Sequence, residues 1–201
     1  MTTQPILEVS DLSVSFPSEA GVVQAVRKLS YSVYPGESLA IVGESGSGKS
    51  VSSLAVMGLL PDSARISGSI KLQGEELLTK TDAQLSKLRG KTVSMVFQDP
   101  LSALTPVYRI GEQIAETIMI HKGSSKADAE KRAVELLDAV GIPNAALRAK
   151  SYPHEFSGGM RQRAMIAMAI ANDPDLIIAD EPTTALDVTI QAQVMDLLET
   201  A

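Results

Sequence analysis

The chain has 201 residues, 44% of them hydrophobic and 21% charged, with a net charge of −6. That is the balance of a globular protein with enough chain for a sizeable core, and the acidic excess with only 3% aromatics speaks against a face that coats nucleic acid or stacks on bases. With no cysteine, the sequence excludes a disulfide scaffold and a thiolate metal site, and its two separated histidines, His121 and His154, speak against a histidine-rich metal site.

The N-terminus MTTQPILEVSD has no basic stretch followed by an apolar one, so no signal peptide is expected. The apolar runs LAVMGLL at 54–60 and MIAMAIA at 165–171 fall short of the roughly 20 residues a spanning helix needs. Any membrane role therefore comes through a partner.

In chain order, ILEVSDLSVSF and VVQAVRKLSYSV alternate as strands, and PG at 35–36 marks a turn. SLAIV at 38–42 is a short apolar run, expected as a strand buried on both faces. A glycine-rich loop follows, then a helix over KSVSSLAVMGLL ending near Pro61. SGSIKLQG and KTVSMVF are further strands. Residues 108–141 turn helical: Ile110, Ile114 and Ile118 share one face of a first helix, and Ala129, Ala133, Leu136 and Val140 one face of a second that Gly141 stops. A helix over Arg161–Ala171 breaks at NDP, and LIIAD at 176–180 is a second buried strand. DVTIQAQVMDLLETA closes the chain as an amphipathic helix, with Ile190, Val194, Leu197 and Leu198 on one face and Asp187 as its cap.

The strongest chemical signal is Gly43-Glu44-Ser45-Gly46-Ser47-Gly48-Lys49-Ser50, which fits G-x-x-x-x-G-K-[ST] between a strand and a helix. Its glycines let backbone N–H groups close around phosphate oxygens, and the helix start adds positive potential. Lys49 is expected on the β and γ phosphates of ATP and Ser50 on Mg²⁺. A dinucleotide fingerprint fails, because Val51 stands where its third glycine belongs. In LIIADE, Asp180 can hold the magnesium shell and Glu181 can polarise an attacking water. Taken alone the pair is as readily a helix cap or a solvated loop; beside a phosphate loop the catalytic reading prevails. Gln98, directly after a strand in VFQDP, is either an exposed loop residue or a ligand to Mg²⁺ or water that senses the γ-phosphate.

A second glycine-rich turn, SGGMRQR at 157–163, pairs the N-cap Ser157 with Gly158 and Gly159, which leave the first helical N–H groups approachable. Isolated, it is a plain cap. One chain cannot easily bring two phosphate-binding helix starts to one ATP, whereas two chains packed head to tail can.

Together GESGSGKS, VFQDP, FSGGMRQR, LIIADEP and TALD, in this order and spacing, resemble the ATP-binding subunit of ABC transporters over essentially the whole chain. The resemblance implies an α/β fold: a P-loop NTPase (RecA-like) core with an N-terminal antiparallel β subdomain and an inserted helical subdomain. The expected division is 1–98 for the β subdomain and P-loop core, 99–172 for the helical subdomain, and 173–201 for the second catalytic strand and last helix. It also implies ATP sandwiched between two subunits, with Phe16 stacking on adenine and Asp187 facing the partner. Phe16 is as readily a core phenylalanine of an edge strand. QDPLSALTPVYRIGEQI, YPHEFSGGMRQR and LDVTIQAQVMDLL resemble the importers of oligopeptides, dipeptides and nickel. Such a subunit sits peripherally on the cytoplasmic face of the inner or plasma membrane. Its partners are a second, homologous ATP-binding subunit, transmembrane permease subunits and, indirectly, a solute-binding protein; no nucleic acid is involved. The segment after Gln98 is the candidate permease contact.

Two departures stand out. Met160 replaces the glutamine usual in the signature, and the family's switch histidine, on a strand after the last helix, is absent before Ala201. The chain is therefore expected to be a C-terminally truncated cassette. Alternatives are a fragment that binds nucleotide without turning it over, and an ABC ATPase outside transport.

Overall fold

The computed structural model describes residues 4–19, 21–182 and 191. The chain divides into two compact units, 1–89 and 90–201. The expected last helix and its cap, Asp187, lie outside the described residues.

The first unit is built on an antiparallel sheet of β1 (Leu7–Ser18), β2 (Gly21–Val33), β3 (Arg65–Leu72) and β4 (Glu75–Glu76), in the order β2-β1-β3-β4. Leu7, Val9, Leu12 and Val14 of β1 all point inward. Simple alternation would put Leu12 outside. A register shift between Val9 and Leu12, with Asp11 at φ 49°, inserts the extra residue that turns it back in. The Asp11 N–H freed by this bulge donates to Ser30 Oγ at 2.8 Å.

Helix α1 (Lys49–Met57) follows the glycine-rich loop and ends in Gly58, which adopts the left-handed conformation. It stops sooner than Pro61 suggested. Residues 38–42, expected as a buried strand, form no strand of the first unit's sheet. An apolar run becomes a buried strand only where neighbours offer ladder bonds, and neither edge strand of this sheet, β2 or β4, takes it up. Helix α2 (Asp82–Leu88) was not anticipated. It buries no residue and is held by a capping box between Thr81 and Gln84.

Glu76 ties the β3–β4 turn together. Burial raises its carboxyl, but hydrogen bonds donated by Ser69 Oγ, Ile70 N and Leu78 N outweigh that and hold it below the ordinary glutamate value.

The second unit sets two parallel strands, β5 (Val93–Val96) and β6 (Leu176–Ala179), among helices α3 (Ile110–Lys122), α4 (Lys126–Ala139), the short α5 (Ala145–Arg148) and α6 (Gly158–Ala169). Ile110, Ile114 and Ile118 pack with Ala129, Ala133 and Leu136 in one core that also takes in Val96, Phe156 and Ile166. The 3.6-residue periodicity of these helices is thus their packing face. β5 is buried throughout, whereas β6, expected to be buried, is half-buried over Leu176–Ile178 and exposed at Ala179. Gln113, buried on α3, fixes the segment leading from β5 into α3. Its Nε2 donates to the carbonyls of Thr105 and Tyr108, and its Oε1 accepts from Thr105 N.

Because the Glu76 pKa is depressed in the folded state, its stabilisation is present above the unfolded-state value of about 4.3 and is lost as pH falls through the folded one. Urea denaturation should find Glu76→Gln less stable than wild type at neutral pH, with the difference closing below about pH 4.

Candidate functional site

In the first unit, the loop at 43–48 lies exposed before α1. Ser47 N donates to Glu44 O, and Gly46 and Gly48 have φ of 78° and 94°, so the loop curls back on itself. Gly48 is the N-cap of α1 and offers no side-chain acceptor to the first helical turn. The turn's N–H groups are left for an external anion. Lys49 Nζ folds over the loop and donates to Gly43 O at 2.7 Å and Glu44 O at 3.0 Å. Its ammonium therefore lies against the backbone of the glycine-rich loop. Gly48 has a second constraint: a Cβ there would stand 2.3 Å from the Ala25 carbonyl oxygen on β2.

In the second unit, the parallel ladder pairs Val96 with Ala179, and Asp180 N continues it to Val96 O at 2.9 Å. Two residues further along each chain come Gln98 and Glu181. Parallel strands in register run side by side, so these two residues emerge together. Gln98 Nε2 donates to Glu181 Oε2 at 2.8 Å. The amide oxygen of Gln98 remains as the acceptor end that can meet a metal or a water. Asp180 is buried to 9% exposure, and Glu181 takes a left-handed φ of 49°. That conformation costs a non-glycine residue on the order of 1–2 kcal/mol. Within this unit, the amide oxygen of Gln98 and the carboxylate of Asp180 are hard oxygen donors of the kind that suit Mg²⁺.

The second glycine-rich turn opens α6 at Gly158, earlier than the sequence placed it. Ser157 is the N-cap and its Oγ accepts from Met160 N at 3.3 Å. A Cβ on Gly158 would meet nothing within 4 Å, so the helix start faces open space. The turn itself is firmly seated. Phe156 before it is buried, Arg161 Nε donates to Pro153 O at 2.7 Å, and the Arg163 guanidinium donates to Gly141 O. Phe16 lies on β1 opposite Val23 and is half-buried, outside the fully buried core.

Sequence reasoning passed over one polar residue in α6. Gln162 is 1% exposed, shares a helix face with Met165 and Ile166, and donates from Nε2 to Pro182 O at 2.9 Å. Its position on a buried face, three and four residues before two core side chains, was the available signal.

Residues 26–184 match the ABC transporter family. This chain belongs to that family. Among its relatives, the oligopeptide transport ATP-binding protein OppD of Mycobacterium tuberculosis is 59% identical over 98% of this chain and 32% of its own length. The dipeptide transport ATP-binding protein DppD of Lactococcus lactis is 53% identical over 98% of this chain and 57% of its own length. The chain thus spans between a third and about three fifths of these relatives. The dimeric structure of the ATP-binding cassette MJ0796 in a post-hydrolysis state, bound to ADP and Pi, superposes with a TM-score of 0.86 at 28% identity, covering 96% of this chain and 81% of that one. The fold is accordingly the α/β P-loop NTPase fold of ABC cassettes, with the antiparallel β subdomain at its N-terminal end.

In an ABC cassette the loop before α1 should tolerate no side chain at Gly48. Gly48→Ala would force a Cβ into the Ala25 carbonyl and strain a φ of 94° by about 1–3 kcal/mol. Calorimetric titration with a non-hydrolysable ATP analogue should show binding weakened by about tenfold or more.

Proposed function

We propose that this chain is the nucleotide-binding part of an ATPase subunit that powers an ABC importer of peptides through ATP-driven dimerisation. The observation that carries the catalytic part is the pairing of Gln98 with Glu181 at the ends of two parallel strands, beside a buried Asp180. The solute class rests on relatives named for oligopeptide and dipeptide transport. The broader group that the sequence resembles also includes nickel importers.

In this reading Gly43, Glu44, Ser45, Gly46, Ser47 and Gly48 wrap the phosphates of ATP, Lys49 neutralises the β and γ groups, and Phe16 stacks on adenine. Ser50, Asp180 and Gln98 would hold Mg²⁺, which when bound draws charge from the phosphate oxygens. Glu181 takes a proton from the attacking water as its oxygen bonds to the γ-phosphorus, and the bond to ADP breaks. Gln98, bonded to that carboxylate, keeps it aimed. Ser157, Gly158 and Gly159 present their helix start to the nucleotide held by the second, homologous subunit, and Asp187 faces the same partner. The notion of a sandwich draws support from the dimeric MJ0796 cassette.

The division into a β subdomain with the P-loop core at 1–98, a helical subdomain at 99–172 and a last segment at 173–201 belongs to the same proposal. So does peripheral placement on the cytoplasmic face of the membrane: among the described residues no helix is long and apolar enough to cross one. The permease contact is assigned to the segment after Gln98. It exposes Leu101, Val107 and Tyr108, three large apolar side chains on backbone that Gln113 holds in place. A solute-binding protein would act through that permease.

In the full-length protein, Glu181→Gln should still bind ATP and hydrolyse it about 10²–10⁴-fold more slowly, as measured by phosphate release. Unchanged turnover would remove Glu181 from the base role. Sedimentation of that variant should show a dimer that depends on Mg-ATP. Adding Ser157→Arg should abolish it, because a long side chain then fills the open space before α6.

A further inference from the structure

Gln162 has no part in the chemistry above, yet it is among the most buried polar side chains described. Its Nε2 bonds Pro182 O, and its Oε1 is buried with no hydrogen-bond partner among the described residues. A half-satisfied amide in a core is destabilising compared with an apolar side chain of the same shape. Its retained bond is made to the carbonyl of Pro182, the residue that follows Glu181. That residue carries the strained φ of 49°, and a strained turn persists only where its surroundings over-determine it. Three of the described contacts bear on it. The Asp180 N–H is tied to Val96 O on one side, the Glu181 carboxylate to Gln98, and the Pro182 carbonyl to Gln162 on the other side. Of these, only Gln162 comes from α6, the helix whose first turn is Ser157-Gly158-Gly159.

We propose that Gln162 is a positioning residue for ATP hydrolysis, a reading that rests on the ATPase function above. Its amide clamps the turn that carries Glu181 and ties the aim of that carboxylate to the seat of α6. In the dimer the start of α6 serves one nucleotide and Glu181 of the same chain serves the other. The clamp therefore runs between the two sites.

Gln162→Met keeps the length and volume of the side chain, removes the unpartnered oxygen and removes the donor. In the full-length protein assembled with its partners, its melting temperature should equal or exceed wild type. The KM for ATP should stay within about twofold while kcat falls about tenfold or more, as expected when a reacting group is misaimed. A kcat within about twofold of wild type overturns the proposal. Gln162→Glu gives an independent reading. Burial favours its neutral form, and only the protonated acid can donate to Pro182 O. Its kcat relative to wild type should fall as pH rises, and a flat ratio overturns the proposal. Wild type and Glu181→Gln run alongside. A wild-type assembly that releases no phosphate overturns the ATPase reading and this one with it. A normal wild type beside an unaffected Gln162→Met overturns this one alone.

Discussion

The register of a four-residue parallel ladder is the constraint on which the candidate site of the second unit depends. Val93 to Val96 run level with Leu176 to Ala179, and every residue beyond inherits that alignment. A slip of one position would exchange the faces of the strands and part Gln98 from Glu181. The register is protected by burial, since β5 is enclosed on both faces and a shifted pairing would turn its contacts out of fit. A weak local interaction, one amide on one carboxylate, thereby gains a fixed geometry from the sheet.

The helical layer serves the other glycine-rich turn in a comparable way. Two glycines at the start of α6 bring no side-chain contacts of their own, so their placement is borrowed. Phe156 is sunk into the core just before them, and Arg161 and Arg163 reach back to backbone carbonyls at Pro153 and Gly141. The arginines are thereby engaged within their own unit. A helix start that faces open space is held from behind.

Much of this was legible in the sequence, for identifiable reasons. The faces of α3 and α4 could be read because isoleucine and alanine recur at helical spacing, and the packing uses those positions. The glycine-rich loop could be read because its chemistry permits few alternatives. Ser38–Val42 misled because an apolar run shows hydrophobicity and not the presence of a ladder partner. α2 was missed because it buries no residue fully and so lacks an apolar stripe; the Thr81–Gln84 capping box was the available signal. The extra residue at Asp11 keeps Leu12 inward through a kink that simple alternation cannot show. Gln98 and Glu181 were each picked out as candidates, but their contact spans 83 residues of sequence and follows only from register.

The posture of Lys49 has a consequence for how nucleotide arrives. With its ammonium resting on Gly43 O and Glu44 O, the loop already holds a cation of its own. If the loop takes phosphate as proposed, the incoming group competes with two carbonyl dipoles for one ammonium. Binding is then an ion exchange within the protein, and the affinity reflects the difference between two sets of charge-assisted bonds. In the proposed reading, the side chain assigned to the phosphates is thus also an internal brace of the loop.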